Sequence, residues 1–144
     1  MGNKSNKTLL DFQDDWEKIV DKAFDDFSSL TKQERVWFTI QSLIDSVDNG
    51  GLVSYYYNSG ADFVTEVIED LDYLGCFATS NLIREFNQLF PNGKVPADID
   101  ARNDIITDWD EKYDDLLNEA DKEFYSQEES VETKLIAHIK NMNL

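Results

Sequence analysis

Residues 45–62 read Asp45-Ser46-Val47-Asp48-Asn49-Gly50-Gly51-Leu52-Val53-Ser54-Tyr55-Tyr56-Tyr57-Asn58-Ser59-Gly60-Ala61-Asp62. The stretch interrupts two helix-like segments with Asn49-Gly50-Gly51, sets three tyrosines in a row, and breaks again at Asn58-Ser59-Gly60. Glycine reaches the positive-φ conformations that end helices, and a Gly pair lets the chain reverse tightly. Adjacent side chains on a helix point about 100° apart, so Tyr55, Tyr56 and Tyr57 cannot share one face. Two readings of this corner stand. Either the rings fill space and their hydroxyls cap loop backbone, or the tyrosines present a contact for a ligand or a protein partner.

Working outward, Leu9, Phe12, Trp16, Ile19, Val20, Ala23, Phe24 and Phe27 recur at spacings of three and four, which predicts an amphipathic helix over 9–28. Thr31-Lys32-Gln33-Glu34 is a capping box opening a helix over 31–47, in which Val36, Phe38, Ile40, Leu43, Ile44 and Val47 make most faces apolar. That helix is expected at the centre, stopped by Gly50-Gly51. Downstream, Ser59 and Asp62 resemble a second cap, followed by a stripe of Phe63, Val67, Ile68, Leu71 and Leu74 that ends at Gly75. A shorter helix from about Thr79 uses Leu82, Ile83, Phe86, Leu89 and Phe90, and Pro91-Asn92-Gly93 closes it into a loop over 91–97. From Asp98 a helical rhythm runs through Ile99, Ile105, Ile106, Trp109, Tyr113, Leu116, Leu117, Ala120 and Phe124. Ser126 and Glu129 then read as the cap of a last helix with Val131, Leu135, Ile136, Ile139 and Met142 inward. Only residues 52–57 alternate enough to suggest a short strand. The expectation is a single all-α domain over 1–144 with about six or seven helices and a Gly-Gly/Tyr-rich corner after the second.

The chain has 144 residues, of which 41% are apolar and 12% aromatic, enough for a real core. Its 13 basic and 30 acidic residues leave a net charge of −17. Such a surface repels nucleic acid and anionic membranes and attracts basic partners. The charge is uneven: residues 96–129 hold 3 basic and 13 acidic side chains, a net −10 in less than a quarter of the sequence. Within this segment Asp100, Asp104 and Asp108 are spaced by four, as are Glu111, Asp115, Glu119 and Glu123. On a helix each run lies along one face, with about 6 Å between successive carboxylates. Like charges at that spacing destabilise a helix by roughly 0.2–0.5 kcal/mol per pair. The bland alternative is a solvated acidic face.

Catalytic and metal chemistries find no support. An EF-hand loop begun at Asp98 puts Asn103 at the glycine position and Trp109 at the bidentate glutamate; begun at Asp100, it puts Ile105 at the glycine. His138 and Cys76 are the single histidine and single cysteine, too few for a zinc or copper site. His138 reads as a boundary or surface residue, and Cys76, between Gly75 and Phe77, as a buried structural thiol. No glycine loop cradles phosphate and no nucleophile elbow is present. We expect no enzyme activity and no cofactor. The lone cysteine suits a reducing compartment. The segment before Asp11 lacks the apolar stretch of a secretory signal, and Met1-Gly2 with Asn6 fits myristoylation only loosely. The expected location is cytoplasmic.

Two stretches resemble a known family. Asp48-Asn49-Gly50-Gly51-Leu52-Val53-Ser54-Tyr55-Tyr56-Tyr57-Asn58-Ser59-Gly60 is similar to the N-N-G-G-F-x-Q-Y-F-x-N-S-x-G signature of a bacterial family named after DNA mimic protein nineteen. Phe90-Pro91-Asn92-Gly93-Lys94-Val95-Pro96-Ala97-Asp98, with Arg102 after it, is similar to that family's F-P-x-G-x-x-P-x-D…R. Leu30-Thr31 with Glu34-Arg35, and Leu74-Gly75, fit the same order, so the resemblance covers about residues 30–105. It implies an all-α bacterial cytoplasmic domain. The name-giving member imitates duplex phosphates and occupies the DNA-binding face of a basic protein. On this reading Asp100, Asp104, Asp108, Glu111, Asp115, Glu119 and Glu123 stand in for phosphates toward a basic DNA-binding partner. The alternative is an immunity-type or regulatory interaction module that uses Tyr55, Tyr56 and Tyr57. A homodimer is left open.

Overall fold

The computed structural model describes residues 8–109 and 111–142. Of the amino-terminal segment read above for targeting signals, residues 1–7 lie outside them. Helix α1 (Gln13–Asp26) leads into α2 (Lys32–Gly50), whose start is set by the expected capping box. Thr31 Oγ1 accepts from the Glu34 N–H at 3.2 Å, and the Glu34 carboxylate accepts from the Thr31 N–H at 2.9 Å. The same carboxylate takes Lys22 Nζ at 2.7 Å, which pins α1 beside the start of α2. Val36, Trp37, Ile40, Leu43, Ile44 and Val47 are all buried, so α2 is the central helix. Trp16 of α1 packs 6.0 Å from Trp37, whose indole N–H donates to Gln41 Oε1 at 2.7 Å inside the core.

Gly51 (φ +84°) turns the chain from α2 into α3 (Leu52–Tyr57). The six residues that could have been a strand are helical, because Leu52, Tyr55 and Tyr56 at i, i+3 and i+4 form one buried face. The start of α3 is capped from a distance: Asp121 Oδ1 accepts from the Leu52 N–H at 2.7 Å. A Cβ on Gly51 would sit 2.8 Å from Asp121 Oδ2, so this crossing needs glycine for space as well as for φ. A 3-10 turn over Ser59–Phe63 then precedes α4 (Val64–Tyr73). The Ser59/Asp62 cap expected there does not form. Asn58 instead bonds back to the Ser54 carbonyl (2.8 Å), and Asp62 pairs with Arg102 (2.8 Å).

Helix α5 (Phe77–Asn87) starts two residues earlier than its apolar spacing suggested, after the left-handed Gly75 (φ +80°). Helix α6 (Ile99–Thr107) is capped by Asp98, whose carboxylate accepts from the Ala101 N–H at 3.3 Å. The rhythm expected to run unbroken from 98 to 124 is broken by turns at 108–109 and 111–113, beside the buried Trp109. Helix α7 (Asp114–Lys140) then runs 27 residues, about 40 Å. It passes straight through the Ser126/Glu129 cap expected of a separate last helix. Ser126 Oγ donates to the Glu123 carbonyl within the helix at 2.6 Å, and Phe124, Val131, Leu135 and Ile139 stay on one buried face. Among the described residues there are seven α-helices and no strand, forming one compact all-α domain. None of these helices is long and apolar enough to cross a membrane.

Two buried charges join the helices. Asp70 of α4, fully buried, accepts from Arg35 Nη2 (2.7 Å), Thr39 Oγ1 (2.7 Å) and Lys32 Nζ (3.2 Å) of α2. Arg102 of α6, also fully buried, has five partners, four carbonyls that accept its hydrogen bonds and one carboxylate in an ion pair. They are the carbonyls of Tyr56 (3.0 Å), Asn58 (2.9 Å), Pro96 (2.9 Å) and Ala97 (3.1 Å), and the Asp62 carboxylate (2.8 Å). Lysine brings three donors and no fork, so Arg102→Lys leaves buried carbonyls unpaired. We expect it to lower unfolding free energy in urea by about 3 kcal/mol or more, at roughly 1–3 kcal/mol for each orphaned acceptor.

Candidate acidic binding surface

All seven carboxylates expected to face a partner are exposed: Asp100, Asp104, Asp108, Glu111, Asp115, Glu119 and Glu123. They do not make one stripe. Asp100 and Asp104 lie on one face of α6, and Asp115, Glu119 and Glu123 on one face of α7. Asp108 ends α6 and Glu111 sits in the turns between, so two short rows meet at a corner held by Trp109 and Tyr113, whose rings pack 5.4 Å apart. The seven also differ in what the fold asks of them. Asp100 and Asp115 occupy first helical turns, where negative charge is favoured by the helix dipole. Asp108 stands at the opposite end of α6, where it is disfavoured. Among the described residues the one ion pair the seven make is Glu119 with Lys122 (3.6 Å), both about three-quarters exposed. A pair that exposed contributes about 0–1 kcal/mol.

Two other acidic residues of the segment serve the fold: Asp98 and Asp121 cap the starts of α6 and α3. Charge density alone could not separate these two groups; the caps could be found only once the helix starts were known.

The tyrosines divide. Tyr55 and Tyr56 are fully buried, which removes them as partner contacts. Tyr56 stacks on Phe86 at 4.7 Å and donates to Asn87 Oδ1 at 2.6 Å; Tyr55 meets Tyr56 edge-on and donates to the Gly60 carbonyl at 3.1 Å. Burial pushes both phenols up. Only Tyr57 of the three opens to solvent, at 40%. Cys76 is a buried free thiol, and His138 Nε2 lies 3.0 Å from the Gln33 carbonyl, at the boundary between α7 and α2.

A second acidic group had no signal of its own in the sequence. Where α7 crosses α2, Glu128 and Glu132 come beside Asp45 and Asp48, with Tyr125 donating to the Val47 carbonyl at 3.0 Å. Burial, a hydrogen bond to Asp48 and the charges of Asp48 and Glu132 push the Glu128 carboxyl up to about 7. Burial, then Asp48 and Glu132, also push Asp45 up, against a hydrogen bond from Gln41. These residues are separated by some eighty positions in sequence, and only the packing of α7 on α2 joins them.

The class these features define is an acidic all-α domain whose motif residues Gly51, Tyr55, Tyr56 and Arg102 lie in the core and whose exposed carboxylates lie outside it. A family model described as DMP19-like protein matches residues 28–142, and the chain belongs to that family. No curated protein and no solved structure was found to match it. The match begins beyond α1, which packs on α2 from outside the family's span.

The raised Glu128 carboxyl has a defined consequence for stability. In the fold it keeps its proton up to about pH 7, whereas at its ordinary value of 4.5 it loses it in the unfolded chain. The fold therefore binds more protons between those values, and stability falls as pH rises through that window. Glu128→Gln should be indistinguishable from the parent below about pH 4.5 and more stable above about pH 7. Solvent screening at this partly open site holds the gain to about 1–2 kcal/mol. Urea unfolding at the two pH values measures it.

Proposed function

We propose that this chain is a non-enzymatic acidic binding protein that occupies the nucleic-acid-binding face of a basic partner, as a DNA mimic does, in the bacterial cytoplasm. The observation that carries the reading is the exposure of all seven carboxylates in the most acidic segment, beside a separate set of carboxylates that the fold does use. A row on α7 advances about 6 Å per carboxylate. One DNA strand carries a charge about every 3.4 Å along its axis, so a single row reaches roughly half that density. Repulsion within the rows is relieved when cations arrive, which favours a basic partner and makes the interaction salt-sensitive. Membership of the DMP19-like family supports the same reading. The partner class is a DNA-binding protein such as a transcription factor.

The test is capture from lysate on the immobilised chain, beside a variant with Asp104→Asn, Asp108→Asn, Glu111→Gln and Asp115→Asn. A DNA-binding protein that duplex DNA displaces, and that the variant retains at least about tenfold less, is the expected result; tenfold corresponds to about 1.4 kcal/mol. A partner held equally by both chains and indifferent to DNA would contradict the proposal.

A further inference from the structure

Helices α5 and α7 enclose an open groove of about 550 Å³ with an apolar floor of Leu82, Phe86 and Leu89. Its wall on α7 carries Leu116, which periodicity assigns to the core but which is 56% exposed. Glu119 and Glu123, two of the seven exposed carboxylates, rise from the same wall, and Glu85 rises from α5. The acidic face on α7 is thus one edge of an apolar trench. Lys122 lines the trench too, loosely paired with Glu119, so the charge at its rim stays predominantly negative.

We infer that this groove takes an amphipathic basic helix of the partner, apolar side chains on the floor and Lys or Arg against Glu85, Glu119 and Glu123. The inference rests on the acidic-binding reading above and adds what pure phosphate imitation lacks, an apolar anchor. Charge complementarity names the occupant: the rim is acidic and the floor apolar, so the ligand is cationic on its flanks and apolar between them. A second copy of this chain would bring its own surplus of 17 negative charges against the same rim. A β-strand would need a sheet edge for its backbone hydrogen bonds, and the described residues form no strand. A helix satisfies its backbone internally and lays its apolar face into such a groove. Exposed apolar surface rimmed by charge is the usual mark of a protein contact.

The test uses two synthetic peptides with equal numbers of lysines and fluorescence anisotropy at near-physiological salt. One is a Leu/Lys helix with Leu at i, i+3, i+4 and i+7; in the other every Leu is Gln. The parent should bind the Leu/Lys peptide about tenfold more tightly, and Leu116→Gln should remove most of that advantage while leaving the Gln/Lys peptide unchanged. Leu116 is exposed, so this substitution spares the core. Glu119→Gln with Glu123→Gln should weaken both peptides. Phe24→Gln, at an apolar surface on α1 where Phe24 is 82% exposed, should change neither. Equal binding of both peptides, indifferent to Leu116→Gln, would overturn the groove and leave the acidic reading standing. Loss through Phe24→Gln alone would overturn its location, and self-association of the parent abolished by Leu116→Gln would overturn its occupant. Failure of the parent to bind either peptide would sink the acidic reading together with this one.

Discussion

The buried guanidinium of Arg102 sets the geometry on which the rest of the structure depends. A charge taken from water is tolerated only when its donors are met, and five partners from three separate stretches of chain meet these. Satisfying them forces the end of α3, the 3-10 turn carrying Asp62 and the Pro96-Ala97 loop onto the start of α6. Tyr56 is thereby held against Phe86 and Phe90, and Phe90 against Trp109 at 5.2 Å. Trp109 in turn ends α6 and aims the chain into α7. The same rows of carboxylates that face solvent are therefore placed by a cation no solvent reaches.

Seen this way, the acidic surplus divides by burial and partner rather than by position. Asp70, Asp98, Asp121 and Glu34 each receive specific hydrogen bonds that close helix starts or bind helices together. Asp45 and Glu128, partly desolvated and crowded by the charges of Asp48 and Glu132, oppose folding as they ionise. The rows on α6 and α7 do neither to any large extent, and it is there that a cationic partner gains most by neutralising charge. The trench between α5 and α7 gives that partner an apolar hold as well, so salt alone need not govern its affinity.

The local features of this fold were legible in the sequence. The Thr31/Glu34 box, the Gly50-Gly51 stop and the apolar stripe of α2 each depend on residues within one or two turns. The pair of motifs that places the chain in its family was legible too, and in the structure its Gly51, Tyr55, Tyr56, Phe90 and Arg102 do core work. Arg102's role was not, because four of its five partners are backbone carbonyls, which leave no trace in a sequence. The turns at 108–109 and 111–113 were hidden because Ile105, Trp109 and Tyr113 keep helical spacing across them. Ser126-x-x-Glu129 misled for the opposite reason: a capping pattern acts only where the preceding chain is extended, and here α7 is already packed on both sides of it. Leu116 kept the rhythm of a core residue, but its stretch of α7 faces an open trench.

The central claim is that the fold does not need its outward carboxylates, and thermal unfolding measures this most directly. Asp104→Asn, Asp108→Asn, Glu119→Gln and Glu123→Gln, combined in one chain, avoid the first helical turns and every carboxylate that caps a helix through its side chain. That variant should unfold at the same temperature as the parent or higher at low salt, with any gap closing at about 1 M salt, where the screening length is near 3 Å. A variant that melts lower than the parent at both salt concentrations would show that these side chains hold the fold, and would leave no free acidic face for a partner to meet.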